Sequence, residues 1–283
     1  MKKIVLWCIV AVGMIACTEK NTPDTSGGND TDTTVSPGDT TIVTSDTIRI
    51  SWNGANASIE GTHENAAISE SDGYVTINST VKDITYLLSG EGQGQLTING
   101  TNRHQLILSN LTLTCSDGPA INNQCKKSCF VVLQGTNRLT DGSAYSSSDE
   151  DRKAAFFSEG QMIFSGGGSL AVTGNYKHAL ASDDYIQFAE STGSLTLNAA
   201  SDGIHANDGI YFDGGTFAIT AGSDGVQCDS MIVFNNGSLT IEAEGDGIQS
   251  DTAYIAINGG AITITNAGDK GMATSPLRTA PSV

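Results

Sequence analysis

The residues best suited to chemistry in this chain are aspartates that recur at a fixed interval. Asp202, Asp224 and Asp246 each open an Asp-Gly pair in SDGIHANDGIYFDGGTFAIT, SDGVQCDSMIVFNNGSLTIEA and GDGIQSDTAYIAINGGAITIT. Five residues further on stand Asn207, Asp229 and Asp251, with Asp208 beside the first of them. Asp183 and Asp184 occupy the corresponding place one repeat earlier, and Asp269 opens another acidic corner. Hard oxygen donors at this density are what calcium takes as ligands. If successive repeats stack at the strand spacing of about 4.8 Å, each neighbouring pair of carboxylates repels by about 0.9 kcal/mol in bulk water and about 3.5 kcal/mol at an effective dielectric of 20. A calcium ion between adjacent rungs would lie about 2.4 Å from an oxygen on each side, which is its preferred bond length, whereas magnesium wants shorter bonds and keeps its water. The same Asp-Gly pairs also suit turns in which the glycine takes a positive φ and the Asp caps nearby N–H groups. Turn duty and metal duty are compatible, and the columns are read as Ca2+ ligands or as solvent-screened turns.

The elements that position these residues follow from the repeat, which is about 22 residues long. Apolar residues fall at the same offsets in each copy: Ile210, Phe212, Phe217 and Ile219; Ile232, Phe234, Leu239 and Ile241; Ile255, Ile257, Ile262 and Ile264. Steps of two, five and two describe strand, corner, strand. A further apolar point precedes each set, at Ile204, Val226 and Ile248, which makes three inward-facing sides per coil. One copy cannot close a core, so its apolar face must be covered by the next. The predicted fold is all-β, a single-stranded parallel β-helix of triangular section. There is no Leu-rich, Asn-terminated repeat and no nine-residue period, which sets aside the leucine-rich and nonapeptide solenoids.

Outside the regular coils the chain divides by composition. Residues 1–16 carry Lys2 and Lys3, an apolar run and a small residue before Cys17, the pattern of a secretory signal. Met14-Ile15-Ala16-Cys17 resembles a bacterial lipobox, so Cys17 is the expected lipidation site and the membrane is reached through a lipid anchor alone. Residues 17–45 are rich in Thr, Asp, Ser and Gly and read as a flexible tether, which leaves 46–283 as the solenoid domain. The formal charge of −17 argues against nucleic acid and anionic membrane as partners and suits cations. Strands are predicted around Thr47–Trp52, Tyr74–Asn78, Ile84–Leu88 and Gln95–Ile98, with turns at Asn53-Gly54, Asp72-Gly73 and Gly90–Gly94. The polar stretch Asp141–Lys153 is too long for a corner and is predicted to leave the coil as a loop, either a solvated insertion or a carrier of binding residues. In an exported protein a bridge among Cys115, Cys125 and Cys129 is permitted. Cys228 stands in the slot of Ala206 and Ser250 and is read as a small inward residue.

The succession HQLILSNLTLTCSDGPAI, VVLQGTNRLTDG, KAAFFSEG, GGGSLAVTG and KHALASDDYI, followed by the Asp-Gly coils, resembles the exported carbohydrate-binding β-helix family first known from cellulose-degrading clostridia. The resemblance covers about residues 46–275. It implies a right-handed helix similar to pectate lyases, bound calcium, affinity for acidic polymers such as polygalacturonate and for cellulose, and a lyase-like shape without established lyase activity.

For catalysis, a lyase elimination needs calcium to neutralise the uronate and a base of depressed pKa beside it. Lys177, His178, His205 and Lys270 are the cations near the acidic coils. A lone base among carboxylates is more often an ion-pair partner whose pKa is raised. The reading is therefore non-catalytic capture of acidic polysaccharide, with these cations and Tyr145, Tyr176, Tyr185 and Tyr211 as substrate-binding candidates. A polysaccharide lyase and a structural stalk are the alternatives. The expected location is the bacterial cell envelope. The C-terminal coil shows no cap, which predicts truncation or end-to-end self-association.

Overall fold

The computed structural model describes residues 4–5, 42–44 and 46–274. Cys17, most of the leader and most of the tether lie outside these residues. Among the described residues every regular element is a strand, and no helix is long and apolar enough to cross a membrane. The strands wind into a parallel β-solenoid of about 8 turns.

From residue 121 onward each coil supplies one strand to each of three parallel ladders. The first ladder stacks Cys129–Gln134, Met162–Ser165, Tyr185–Phe188, Gly209–Phe212, Met231–Phe234 and Ile255–Ile257. The second stacks Thr136–Thr140, Ser169–Gly174, Ser194–Ala199, Thr216–Ala221, Ser238–Ala243 and Ala261–Ala267. The third, of shorter strands, runs from Ile121–Asn123 through Ala154–Ser158, His178–Ser182, Ile204–Ala206, Val226–Cys228 and Ile248–Ser250 to Met272–Thr274. Its register, Leu180↔Ile204↔Val226↔Ile248↔Met272, gives coils of 22 to 24 residues. Upstream, Ile84–Gln93 and His104–Thr114 run unbroken through the first two ladders, with a register shift after Ser89.

The apolar residues at the repeating offsets are buried as far as Ile248, while in the last coil Ile255, Ile262 and Ile264 are half-buried and Ile257 is exposed. Phe164, Phe188 and Phe212 stack along the axis at centroid separations of 5.1 Å, and Ile204, Val226 and Ile248 line up on the third side. Stacked aromatic pairs add about 0.5–1.5 kcal/mol each beyond their burial. Ala206, Cys228 and Ser250 pair in register and are fully buried, as their shared slot predicts.

Four sequence expectations change. The Asp-Gly glycines were expected to supply positive φ, but Gly203, Gly225 and Gly247 are not among the positive-φ glycines. They are required by close packing: a Cβ at Gly225 would lie 2.4 Å from Ile241 Cγ2 and 2.6 Å from the Gly247 carbonyl oxygen. Positive φ belongs to the corner between the first two ladders, at Gly215, Gly237 and Gly260. The permitted disulfide is not formed: Cys115, Cys125, Cys129 and Cys228 are buried thiols. Cys115 Sγ lies 3.5 Å from Asp117 and Cys125 Sγ 3.3 Å from the Asn102 carbonyl oxygen. Burial pushes the Cys115 thiol up to about 11 and the Cys228 thiol up to about 12.

The first coil is also more elaborate than predicted. Asn56–Glu60 folds back antiparallel on Thr47–Gly54, and Ala66–Ser71 on Tyr74–Ser79. These hairpins lay alternating polar strands over the open N-terminal end, and Trp52 Nε1 donates to the Gly73 carbonyl at 2.8 Å to tie them together. At the other end Ile257 and Met272 are exposed, and Ile4–Val5 pairs antiparallel with Ala261–Ala267. Finally, Ile42, assigned to the tether, packs on an outward apolar cluster of Phe130, Ile163 and Tyr185.

Candidate functional site

The third ladder and the corners at its two ends place most of the candidate residues in rows. The corner before it carries His178, Asp202, Asp224, Asp246 and Lys270 in successive coils, as the backbone bonds Ala179 N to Asp202 O, Gly203 N to Asp224 O, Gly225 N to Asp246 O and Gly247 N to Lys270 O show. Within this row each side chain accepts the amide of the next coil. Asp224 N donates to Asp202 Oδ1 at 3.0 Å, Asp246 N to Asp224 Oδ1 at 2.6 Å and Lys270 N to Asp246 Oδ1 at 2.7 Å. Asp202 N meets His178 Nδ1 at 3.3 Å in the same manner. Amide donors therefore fill the gap between rungs where the sequence placed calcium, and they relieve the repulsion expected of a bare column. Asp269 is not a member of this row: it aligns with Gly245 and holds the Lys270 ammonium at 2.7 Å.

Electrostatics differ along the row. Burial opposes ionisation of Asp202, yet hydrogen bonds from His178 and His205 hold its carboxyl well below the usual range. Asp224 is pushed up by burial and by the charges of Asp202 and Asp246, against the pull of the Asp246 amide. The hydrogen bond to Asp269 and the nearby Asp246 raise Lys270, the opposite of what an abstracting base needs.

The corner after the third ladder carries the second row. Asp183, Asn207, Asp229 and Asp251 align through backbone bonds to Ser158, Ser182, Ala206 and Cys228, and Glu159 precedes them in the same row. Asp184 aligns one position further on with Asp208, so the adjacent pair splits between two tracks where the sequence had treated it as one. The Gln227 amide nitrogen donates to Asp229 at 3.2 Å and to Asp251 at 2.9 Å, and Gln249 donates to Asp251 at 2.6 Å. Gln227 Oε1 is buried without a partner. Burial raises Asp184, and Gln161 and the Tyr185 amide partly offset it.

Beside these rows the loop of residues 141–153 folds back on the coil that follows. Asp141, buried, accepts hydrogen bonds from the Asn175 amide and from Tyr145 Oη, and this brings the Tyr145 ring onto Tyr176 with centroids 4.1 Å apart and planes 23° apart. The Arg152 guanidinium lies 5.7 Å from the Tyr145 centroid and the Lys177 ammonium 5.9 Å from that of Tyr176. Lys153 joins the groove to the second row through Asp183 at 2.6 Å. The groove, lined by Tyr145, Arg152, Lys153, Tyr176 and Lys177 with serines 146–148 and the carboxylates of Glu150 and Asp151, spans about 340 Å3, near the lower end for a ligand site, and Asp151 lies 3.2 Å from the Lys153 ammonium. Tyr145, Tyr176 and Lys177 were legible as candidates; Arg152 and Lys153 were seen only as part of a polar loop. A larger concavity, about 780 Å3, lies against Gln187, Glu190, Asp213 and Asn235, but it offers amides and carboxylates without a cation.

Tyr185 and Tyr211 do not join this site. They meet edge to face at 5.9 Å on the outer side of the first ladder, where Tyr185 is buried against Phe130 and Ile163. His205 projects the other way, to Asp202 Oδ2 at 3.3 Å.

The fold places the chain among the parallel β-solenoids. The chain belongs to the family of carbohydrate-binding domain-containing proteins, whose family model matches residues 71–282. Its fold is similar to that of the polysaccharide lyase-like protein from C. thermocellum, solved as a gadolinium derivative, with a TM-score of 0.72 at 21% identity over 83% of this chain and 98% of that one. No curated protein matches the chain.

Proposed function

We propose that the protein captures acidic polysaccharide without cleaving it, in the groove between the 141–153 loop and the following coil. The observation that carries this reading is the stacked Tyr145–Tyr176 pair flanked by Arg152 and Lys177 in a chain of net charge −17. Arg152 and Lys177 at one aromatic platform, beside the Glu150 and Asp151 carboxylates of the same groove, suit a sugar ring bearing a carboxylate: the ring face stacks on tyrosine and guanidinium and ammonium groups meet the charge. Non-catalytic capture fits the raised Lys153 and Lys270, whose neighbouring carboxylates make them poor bases.

Calcium dependence forms part of the proposal, and the second row fits the ion better than the first. Its donors are oxygens from Asp183, Asn207, Asp229 and Asp251, with Asp208 on the adjoining track, and the orphaned Gln227 Oε1 is an amide oxygen that turning the side chain over would direct at Asp229 and Asp251. Bound there, calcium would neutralise the row beside the groove and lower the repulsion a uronate chain meets on approach. We further propose that a lipid on Cys17 anchors the chain in the bacterial cell envelope.

The test is calorimetric titration of polygalacturonate into the chain with calcium and after chelation, alongside the Arg152→Ala, Lys177→Ala double variant. Saturable heat that depends on calcium and is lost in the double variant is the expected outcome. Equal binding by the variant would move the sugar site elsewhere, and a rise in absorbance from unsaturated uronate product would make the protein a lyase.

A further inference from the structure

The histidines beside the first row carry an inference that the polysaccharide reading does not use. We propose that His178, Asp202 and His205 form a site for a borderline transition-metal ion such as Zn2+, held between two coils.

Asp202 Oδ2 lies 3.1 Å from His178 Nδ1 and 3.3 Å from His205 Nδ1, and one ligand atom from each residue falls within 4.8 Å of both others. Two ligands each about 2.05 Å from a tetrahedral zinc are separated by about 3.3 Å, so both measured edges match those of a coordination tetrahedron.

The hydrogen-bond pattern supplies a second reason. In every other rung of the row the side-chain atom facing the next amide is an acceptor, and His178 Nδ1 takes that place, 3.3 Å from Asp202 N. An Nδ1 that accepts the amide turns a lone pair toward Asp202 Oδ2, a second lone pair 3.1 Å away. A proton on Nδ1 satisfies the carboxylate and deprives the amide. A cation at the centre of the three atoms takes the Nδ1 lone pair, and so leaves the Asp202 amide without that acceptor as the proton does, but it satisfies both imidazoles and the carboxylate together, while Asp202 Oδ1 holds the Asp224 amide at 3.0 Å and fixes the carboxylate's orientation from behind.

The donor chemistry selects the metal. Two imidazoles and one carboxylate suit zinc, cobalt or nickel, whereas calcium takes oxygen, so the site is chemically distinct from the second row. Its ligands come from successive strands of the third ladder, with His178 in one coil and His205 in the next. Bound metal therefore staples the two coils at the point where Lys177 enters the groove. The imidazoles stack at 4.5 Å with planes 22° apart, so binding requires the rings to turn until both Nδ1 lone pairs converge on the ion; the His205 side chain retains 18% of its exposure, which leaves room for that turn and a side for a fourth ligand.

The full chain, stripped of metal by chelation and returned to excess calcium to occupy the carboxylate rows, is titrated with Co2+ alone near neutral pH. One equivalent is expected to bind with the visible absorption of low-coordinate cobalt and to raise Tm. His205→Ala is expected to weaken binding by more than the 10- to 100-fold, roughly, that even outer-shell changes produce. Asp202→Asn keeps an acceptor for the Asp224 amide and so preserves the row while losing the ligand charge, and it is expected to lose the spectrum with its thermal unfolding still cooperative. His63→Ala, far along the sequence at Asp46, is expected to bind as the parent does. Absence of saturable Co2+ binding by the parent, or parental affinity and spectrum in His205→Ala, would overturn the proposal and leave a proton-shared His-Asp-His network.

Discussion

At the scale of single residues, the aspartates of the first row act as acceptors for the backbone of the next coil. Removing the acceptor strands a partly buried amide at a cost of about 1–3 kcal/mol, while removing only the charge leaves the bond and relieves the like charges around Asp224. Asp224→Ala is therefore expected to lower stability by about 1–2 kcal/mol in chemical denaturation, and Asp224→Asn to leave it unchanged or slightly higher at neutral pH. Equal losses in the two variants would mean that the charge itself holds the row together, as a metal between rungs would require. Which duty Asp224 performs was not legible in the chain, because an Asp-Gly pair reads the same whether the carboxylate caps its own turn, ligates a metal or reaches the amide 22 residues on.

At the scale of elements, the coil depends on glycines that let neighbouring turns touch. Gly225→Ala places a methyl group 2.4 Å from Ile241 Cγ2 and against the Gly247 carbonyl, an overpacking expected to cost about 1–3 kcal/mol. Gly167→Ala, where nothing lies within 4 Å of the added carbon, is the matched control and is expected to leave Tm within error. If both variants melt alike, backbone freedom and not contact is the reason for glycine at 225. The 141–153 loop shows the other limit of sequence reading. Its departure from the coil follows from polarity and length, but Tyr145 meets Tyr176 because Asp141 draws the loop back over the next coil. The N-terminal hairpins left a weaker trace for a related reason: Asn56–Glu60 alternates, but its inward residues are only Ala57 and Ile59, both half-buried, too few to mark a strand as the longer apolar runs beside it do.

For the whole molecule, acid should erode stability through the buried His104. Burial holds its imidazole down to about 4 against an ordinary 6.5, so below pH 6.5 the unfolded chain takes up a proton that the folded chain refuses. The stability it contributes is complete above that value and is lost as pH falls toward 4. Between pH 7 and pH 5 this amounts to about 2 kcal/mol. Urea midpoints at the two pH values are expected to draw together in His104→Gln by about that difference; an unchanged gap would assign the acid sensitivity to other groups. His178 titrates in the same sense, while the raised carboxyls of Asp141, Asp184 and Asp224 act in the opposite one.

The chain by itself determined the solenoid, its three-sided coil and the alignment of Cys228 with Ala206 and Ser250, because in a parallel helix each residue's main neighbour is its counterpart one period away and the period is written in the apolar pattern. It also marked the loop and the acidic rows. The chain also put Lys177-His178 in the corner where later coils carry Asp-Gly; tertiary structure alone decided that His178 is the one that continues the aspartate row, that Asp269 stands outside it while Lys270 closes it, and that Arg152, Tyr145 and Tyr176 share a groove. These depend on where a coil of 24 residues rather than 22 puts its extra backbone and on how a loop returns to the surface, and neither leaves a periodic trace in the sequence.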